Sequence, residues 1–252
     1  MLDIMRDESV FDSDGGQGRK KSKAQRRAER RANRTAQREA EAKVKPVKAL
    51  NASQADYLEA LNSTNQVFGV GSAGTGKTFL AAHHAASLLV AEKVERIIVA
   101  RPAVSKKKHQ QGFQPGKSDE KIAPWMVPVM DGLRAATSPA AVERLKREGK
   151  IEFVSFEFMR GRTFYRAAVI LDEAQNCDLD DLRLFLTRIG EDSHVVVCGD
   201  PDQPDIPDSG LERVLEMIEE NDISAEIVEF DPEDVVRSKL AKEWVRAFDR
   251  ED

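Results

Sequence analysis

The sequence predicts an α/β fold, a mainly parallel β-sheet with helices packed on both faces. Three observations lead there. Short runs rich in Val, Ile and Phe recur along the chain from residue 66 to residue 230, each of strand length. Polar or amphipathic segments of helical spacing lie between most of them. The stretch GVGSAGTGKTFL, residues 69–80, joins the first apolar run to the first strong helix through a glycine-rich loop. Strands covered on both faces have little need of polar residues, so near-continuous apolar runs indicate a sheet sandwiched between helix layers.

The elements follow in order. SQADYLEAL, residues 53–61, reads as a short helix with Asn51 or Ser53 as its N-cap. QVFGV (66–70) is the first strand, and FLAAHHAASLLV (79–90) is the helix after the loop. RIIVA (96–100) is the second strand. The rhythm then breaks from Val104 to Ala123, where Lys106–Lys108, Gly112, Pro115 and Gly116 predict a long loop of the kind that carries function. IEFVS (151–155), AAVIL (167–171), HVVVC (194–198) and EIVEF (226–230) complete six strands. In DVVRSKLAKEWVRAFD, residues 234–249, helical spacing puts Val236, Leu240, Trp244 and Phe248 on one face as core packing.

A chain of 252 residues suffices for one such domain with an appendage. Its two cysteines, Cys177 and Cys198, have no metal-ligand or C-x-x-C spacing and read as reduced, buried thiols. No apolar run approaches the roughly 18 residues needed to span a membrane. The acidic start, MLDIMRDESVFDSD, lacks the apolar stretch of a signal peptide, so a cytoplasmic protein is expected.

The formal net charge of −5 conceals an asymmetry. Between Arg19 and Lys48 thirteen Lys and Arg stand against Glu29, Glu39 and Glu41, a net +10, while the remainder of the chain is acidic. No aromatic residue occurs between Phe11 and Tyr57. Such a segment buries too little apolar surface to offset its ordering entropy, so disorder is expected, with helix accessible on binding. Arg26, Arg30, Arg34 and Arg38 would stack like charges on one helical face, a costly arrangement alone that a polyphosphate would reverse. The arm reads as a sequence-tolerant nucleic-acid contact, with a solvated tail or a localisation signal as alternatives. Two parts are therefore expected: residues 1–48, an acidic start and basic arm, and residues 49–252, the folded body.

The glycine-rich loop satisfies two phosphate-binding patterns at once. Gly69, Gly71 and Gly74 fit the dinucleotide pattern G-x-G-x-x-G, which also wants an acid at the end of the next strand. That strand ends in Arg101. Gly71 to Thr78 fit G-x-x-x-x-G-K-[ST], and this pattern has the strand before it and the helix after it that a P-loop requires. The loop Gly71, Ser72, Ala73, Gly74, Thr75 and Gly76 then presents backbone N–H groups to phosphates. Lys77 reaches the β and γ oxygens, and Thr78 offers a hydroxyl to Mg²⁺. Asp172, directly after the buried run AAVIL, is the expected second anchor of the metal. Glu173 is the expected general base, and an acid there favours hydrolysis over transfer to a small molecule. HVVVCGDPDQPD places Gln203 where it can touch the γ-phosphate.

Together with RPAV (101–104), GFQPG (112–116), MRGRT (159–163), TRIG (187–190), GDPDQPDIP (199–207), SGL (209–211) and DVVR (234–237), these motifs resemble the PhoH-like family of P-loop ATPases related to superfamily 1 helicases. The resemblance runs from about Ala49 to Phe248, and MRGRT followed closely by ILDEAQN (170–176) is its most specific part. It implies a RecA-like core, ATP and Mg²⁺ as cofactors, action on RNA or single-stranded DNA, and homo-oligomeric rings, with the hexamer as a candidate size. It also implies that Gln54 recognises adenine. An arginine must neutralise charge on the γ-phosphate, in cis or from a neighbour, and Arg237 is the first candidate, with Arg160, Arg162 and Arg188 behind it. The chain departs from the family pattern in SKKKHQQ (105–111), Gln114 and Val127, all within the expected loop or beside it. A nucleic-acid-stimulated ATPase is thus the leading expectation. An ATP-switched nucleic-acid-binding adaptor with negligible turnover is its rival, and a small-molecule kinase ranks third.

Overall fold

The computed structural model describes residues 44–102 and 126–236, together with Arg27. Within these, six strands form one sheet: β1 (Gln66–Gly71), β2 (Arg96–Ala100), β3 (Ile151–Val154), β4 (Ala167–Leu171), β5 (His194–Gly199) and β6 (Glu226–Phe230). Each lies within one residue of its predicted ends. The order across the sheet is β3-β2-β4-β5-β1-β6, and every pairing is parallel. The predicted α/β class is the observed one.

Side chains alternate along the strands between two cores, as the pleat dictates. Val67, Ile97, Val99, Ala168, Ile170 and Val196 face one side. They meet helices α1 (Ala52–Ser63), α2 (Lys77–Val90), α3 (Val127–Ala136) and α4 (Pro139–Arg147). Phe68, Ile98, Val169, Leu171, Val195 and Val197 face the other side. There α5 (Leu179–Leu186) and α6 (Leu211–Glu220) cover them with Leu182, Phe185, Leu211 and Val214. Both cysteines are buried and free, Cys198 in the first core and Cys177 in the second. Burial pushes the Cys198 thiol up to about 12 and raises Cys177 as well, so both behave as small apolar side chains.

Local side-chain caps start three of the helices. Asn51 caps α1 as expected, its Oδ1 accepting from the Gln54 amide at 2.8 Å. Ser138 caps α4 and Asp178 caps α5 in the same way. Residues 44–48, the end of the basic stretch, lie against the body: Val44 and Val47 pack on the first core, and the Lys45 amide donates to Ala136 O.

The expected helix beginning at Asp234 is corrected at its start. Pro232–Asp234 is a single 3-10 turn closed by a capping box with Asp231, and Val235 is extended. Val236 is outside any helix and half exposed, because its amide is used instead to donate to Gly74 O at 3.0 Å. Leu240, Trp244 and Phe248 lie outside the described residues, as do Lys106–Lys108, the Val104–Ala123 loop, and the basic arm up to residue 43 apart from Arg27.

Strand β6 lies at the edge beside β1, yet it sets the shape of the glycine-rich loop. The Phe230 ring packs edge-on against Tyr57 at 5.4 Å between centroids, and its carbonyl accepts from the Ser72 amide at 3.1 Å. Replacing this ring by Ala is expected to cost about 3–5 kcal/mol, as large-to-small changes at buried aromatics do. Phe230→Leu is expected to cost less than half of that. Urea denaturation of the two variants against the parent checks the ranking.

Candidate functional site

The loop between β1 and α2 is built for close approach of backbone to backbone. Gly71 has φ +110°, and a Cβ there would collide with the Phe230 carbonyl oxygen. Gly76 is left-handed at φ +93° and stands at the N-cap of α2, where no side chain accepts from the helix's first amides. Those amides and the helix dipole are therefore available to an anion. Gly69, the extra glycine of the overlapping dinucleotide pattern, has a different cause: a Cβ there would lie 2.8 Å from the Tyr57 ring. The pattern's first glycine thus serves packing.

Lys77 leaves the first turn of α2 and folds back over the loop. Its Nζ donates to Gly71 O at 2.6 Å, Ser72 O at 2.7 Å and Thr75 Oγ1 at 3.1 Å, and it lies 5.5 Å from the Phe230 ring centre. Burial pulls its pKa down, and the surrounding Cys198, Asp200, Glu173 and Asp172 oppose that. Gln54 stands behind the loop, its Nε2 donating to Thr75 O at 2.8 Å and its Oε1 accepting from the Leu50 amide at 2.9 Å. In this structure Gln54 is buried and braces the loop from below.

Across the cavity, Asp172 continues the β4 ladder, its amide donating to Ala100 O at 2.9 Å. Its Oδ1 accepts from Thr78 Oγ1 at 2.6 Å, so the two residues expected to hold a metal are in direct contact. Burial pushes the Asp172 carboxyl up, while the Thr78 hydroxyl and the Arg101 guanidinium pull it back. Glu173 follows in the left-handed region at φ +57°. That conformation is costly for a residue with a Cβ, and such strain concentrates where a side chain must be aimed. One cavity of about 630 Å³ is lined by Gly74, Gly76, Lys77, Thr78, Asp172, Glu173, Asp200 and Gln203 among others.

A hydroxyl and a buried carboxylate 2.6 Å apart beside a phosphate cradle fit Mg²⁺. That ion keeps most of its shell as water and phosphate oxygens and needs few protein ligands. Among the described residues no group of three or more His, Cys, Asp or Glu gathers into a metal site, so a fully protein-ligated ion has no place there.

Three residues of this site escaped the sequence reading. Arg101, at the end of β2, reaches across to β4, with one guanidinium nitrogen 3.1 Å from Asp172 Oδ2 and another 3.1 Å from Glu173 Oε1. Gln175 donates to Glu173 Oε2 at 2.7 Å and accepts from the Asp200 amide at 3.1 Å. Asn176 accepts from the Asp205 amide at 2.7 Å. The side chains of Gln175 and Asn176 thus pin both ends of the loop that carries Gln203. The motif ILDEAQN contained the signal, but only the pairing of β4 with β5 shows what the two amides bind.

Among the arginine candidates, Arg162 is committed to Glu152 by two bonds of 2.7 and 2.8 Å and lies over the Phe164 ring. Arg160 and Arg188 do not line the cavity either, and Arg188 donates to Thr187 Oγ1. Arg237 lies outside the described residues.

With this geometry in place, comparison with known proteins decides the family. The sequence profile of the PhoH-like protein family matches residues 46–249. The chain belongs to the PhoH-like family. It is 43% identical over 208 residues to Protein PhoH of Escherichia coli K12, a match covering 81% of this chain and 58% of that one. To the PhoH-like protein of Bacillus subtilis it is 38% identical over 213 residues, covering 83% and 66%. The PhoH-like chain therefore spans about three fifths of the length of the E. coli protein. Its fold is also that of the large terminase of a thermophilic bacteriophage, with a TM-score of 0.50 at 14% identity over 78% of this chain and 48% of the other.

The amide clamp on the Gln203 loop has a direct readout. Asn176→Ala is expected to speed hydrogen exchange of the Asp205 amide by up to about tenfold, the equivalent of one hydrogen bond. Mass-resolved exchange over residues 199–207 measures it, with β4 peptides unchanged.

Proposed function

We propose that this PhoH-like chain binds ATP with Mg²⁺ in the cavity between the P-loop and β4, hydrolyses it, and couples hydrolysis to RNA or single-stranded DNA. One observation carries the reading: a single cavity wall brings together the loop glycines, Lys77, Thr78, Asp172, Glu173 and Gln203 from separate parts of the chain.

In this proposal the amides of residues 73–78 receive the phosphates and Lys77 leaves its loop acceptors for charged phosphate oxygens, which bind it more strongly. Bound Mg²⁺ would supply charge neutralisation to the β and γ oxygens, held by Thr78 and Asp172. Glu173 orients a water and takes its proton as the bond to phosphorus forms. Gln203 meets the γ-phosphate, and Gln175 links that loop to the base. Gln54 is assigned to adenine: its amide retains one further N–H and a further acceptor site beyond the bonds it makes to the loop.

No arginine lines the cavity among the described residues. We assign the γ-phosphate arginine to Arg237, whose neighbour Val236 is bonded to Gly74 of the loop, or to an adjacent copy of the chain in a ring. Affinity for nucleic acid is assigned to the arm of +10 charge and to Lys106–Lys108. Among the described residues no helix is long and apolar enough to cross a membrane, and the two free thiols suit a reducing cytoplasm.

Lys77→Ala is expected to weaken binding of a fluorescent ATP analogue. Glu173→Gln is expected to keep that binding and lose turnover by at least about a hundredfold, roughly 2.7 kcal/mol of barrier. A Glu173→Gln protein hydrolysing at the parent rate would remove the assignment of the base, and negligible turnover in the parent with or without RNA would favour the adaptor reading. In the same assay, specific activity that rises with protein concentration supports a shared site, and constant activity in a demonstrated monomer excludes it.

Deleting residues 1–43 spares the segment that packs on the body. If about six to ten arm charges meet phosphates, the full chain is expected to lose about 10³–10⁵ in RNA affinity between roughly 50 and 200 mM salt. The shortened chain is expected to bind every sequence weakly with a shallow salt slope and to retain basal ATP hydrolysis. An unchanged slope would assign the arm to another role.

A further inference from the structure

Asp172 and Glu173 are adjacent in sequence, and all four of their carboxylate oxygens have a donor. Thr78 holds Oδ1 of Asp172 and Gln175 holds Oε2 of Glu173. The two remaining oxygens are taken by one guanidinium, that of Arg101, at 3.1 Å each. Arg101 reaches them because Ala100 of β2 pairs with Leu171 of β4, so the next residue of each strand is a neighbour. Its side chain is 21% exposed, and the Asp172 side chain is 5% exposed. At that depth water screens the pair poorly, and a fixed positive charge a few ångströms from a cation's ligand opposes the cation strongly.

We propose that Arg101 is a positioning residue that acts as a resident counter-cation: it closes the Asp172–Glu173 pair to free divalent ions, so that the ion enters together with the phosphates. The second half of this statement rests on the nucleotide reading above. The first half does not. A free divalent ion must displace the guanidinium from Asp172 using one carboxylate and one hydroxyl. An ion already carried on phosphate oxygens arrives with much of its charge neutralised and with the anion seated by Lys77 and the loop amides.

The test is binding of Mn²⁺ alone, followed by electron paramagnetic resonance, to the full chain with no nucleotide added. The parent is expected to bind weakly and Arg101→Gln at least about tenfold more tightly, with the gain abolished in Arg101→Gln/Asp172→Asn. Arg101→Lys, which retains the charge, is expected to stay close to the parent. A residue needed only for folding would weaken binding or leave it unmoved, and circular dichroism with thermal melting establishes that each variant is folded. The proposal is overturned if folded Arg101→Gln binds Mn²⁺ no more tightly than the parent. It is equally overturned if the gain survives loss of Asp172, or if Arg101→Lys binds as tightly as Arg101→Gln. Titration with a fluorescent ATP analogue runs alongside: absence of nucleotide binding in every protein would sink the proposed function while the Mn²⁺ comparison still decides the role of Arg101.

Discussion

A carboxylate buried at the end of a central strand is the constraint around which the site is arranged. Asp172 sits where β4 leaves the sheet, flanked by β2 and β5, with almost none of its side chain in water. Removing an ionised carboxylate from water costs several kcal/mol unless its lone pairs are satisfied and its charge is opposed. Thr78 from α2 and Arg101 from the end of β2 do both. Meeting that requirement ties the helix after the P-loop, the end of β2 and the end of β4 into one unit. The same partners put a hydroxyl, two carboxylates and a guanidinium against the phosphate cradle.

The sheet order explains why the chemistry gathers on one edge. All strands run parallel, so their C-terminal ends lie together, and connections after those ends form the crevice. β1 contributes the loop, β4 the carboxylates, β5 the Gln203 loop, and β2 an arginine. β6, at the sheet's margin, contributes no side chain to the cavity wall, yet its Phe230 carbonyl dictates that position 71 be glycine. The apparent redundancy of two glycine patterns dissolves at this level, since one glycine yields to Tyr57 and the others to the loop's own conformation.

The arginines show how the same residue type serves different ends. Arg162 and Glu152 form a two-pronged pair that lowers the glutamate's pKa, chiefly through the hydrogen bonds themselves, and it lies beside a phenylalanine ring away from the cavity. Arg101 forms a fork of the same kind with carboxylates that line the cavity. Motif membership does not separate them, because MRGRT and RPAV were equally visible. Their positions in the sheet do.

The sequence by itself determined the six strands, the P-loop, the placement of Asp172 and Glu173 at a strand end, and the cap at Asn51. These depend on short-range physics: apolar periodicity, the φ freedom of glycine, and side chains that satisfy nearby amides. Only the tertiary structure decided that Arg101 meets both carboxylates, that Gln175 and Asn176 clamp the loop bearing Gln203, that Gln54 braces Thr75, and that Val236 bonds to the loop where a helix was expected. Each of those contacts joins residues brought together by strand order. A parallel sheet can arrange the same strands in many orders without altering the pattern of any one of them, so no local signal could have carried that information.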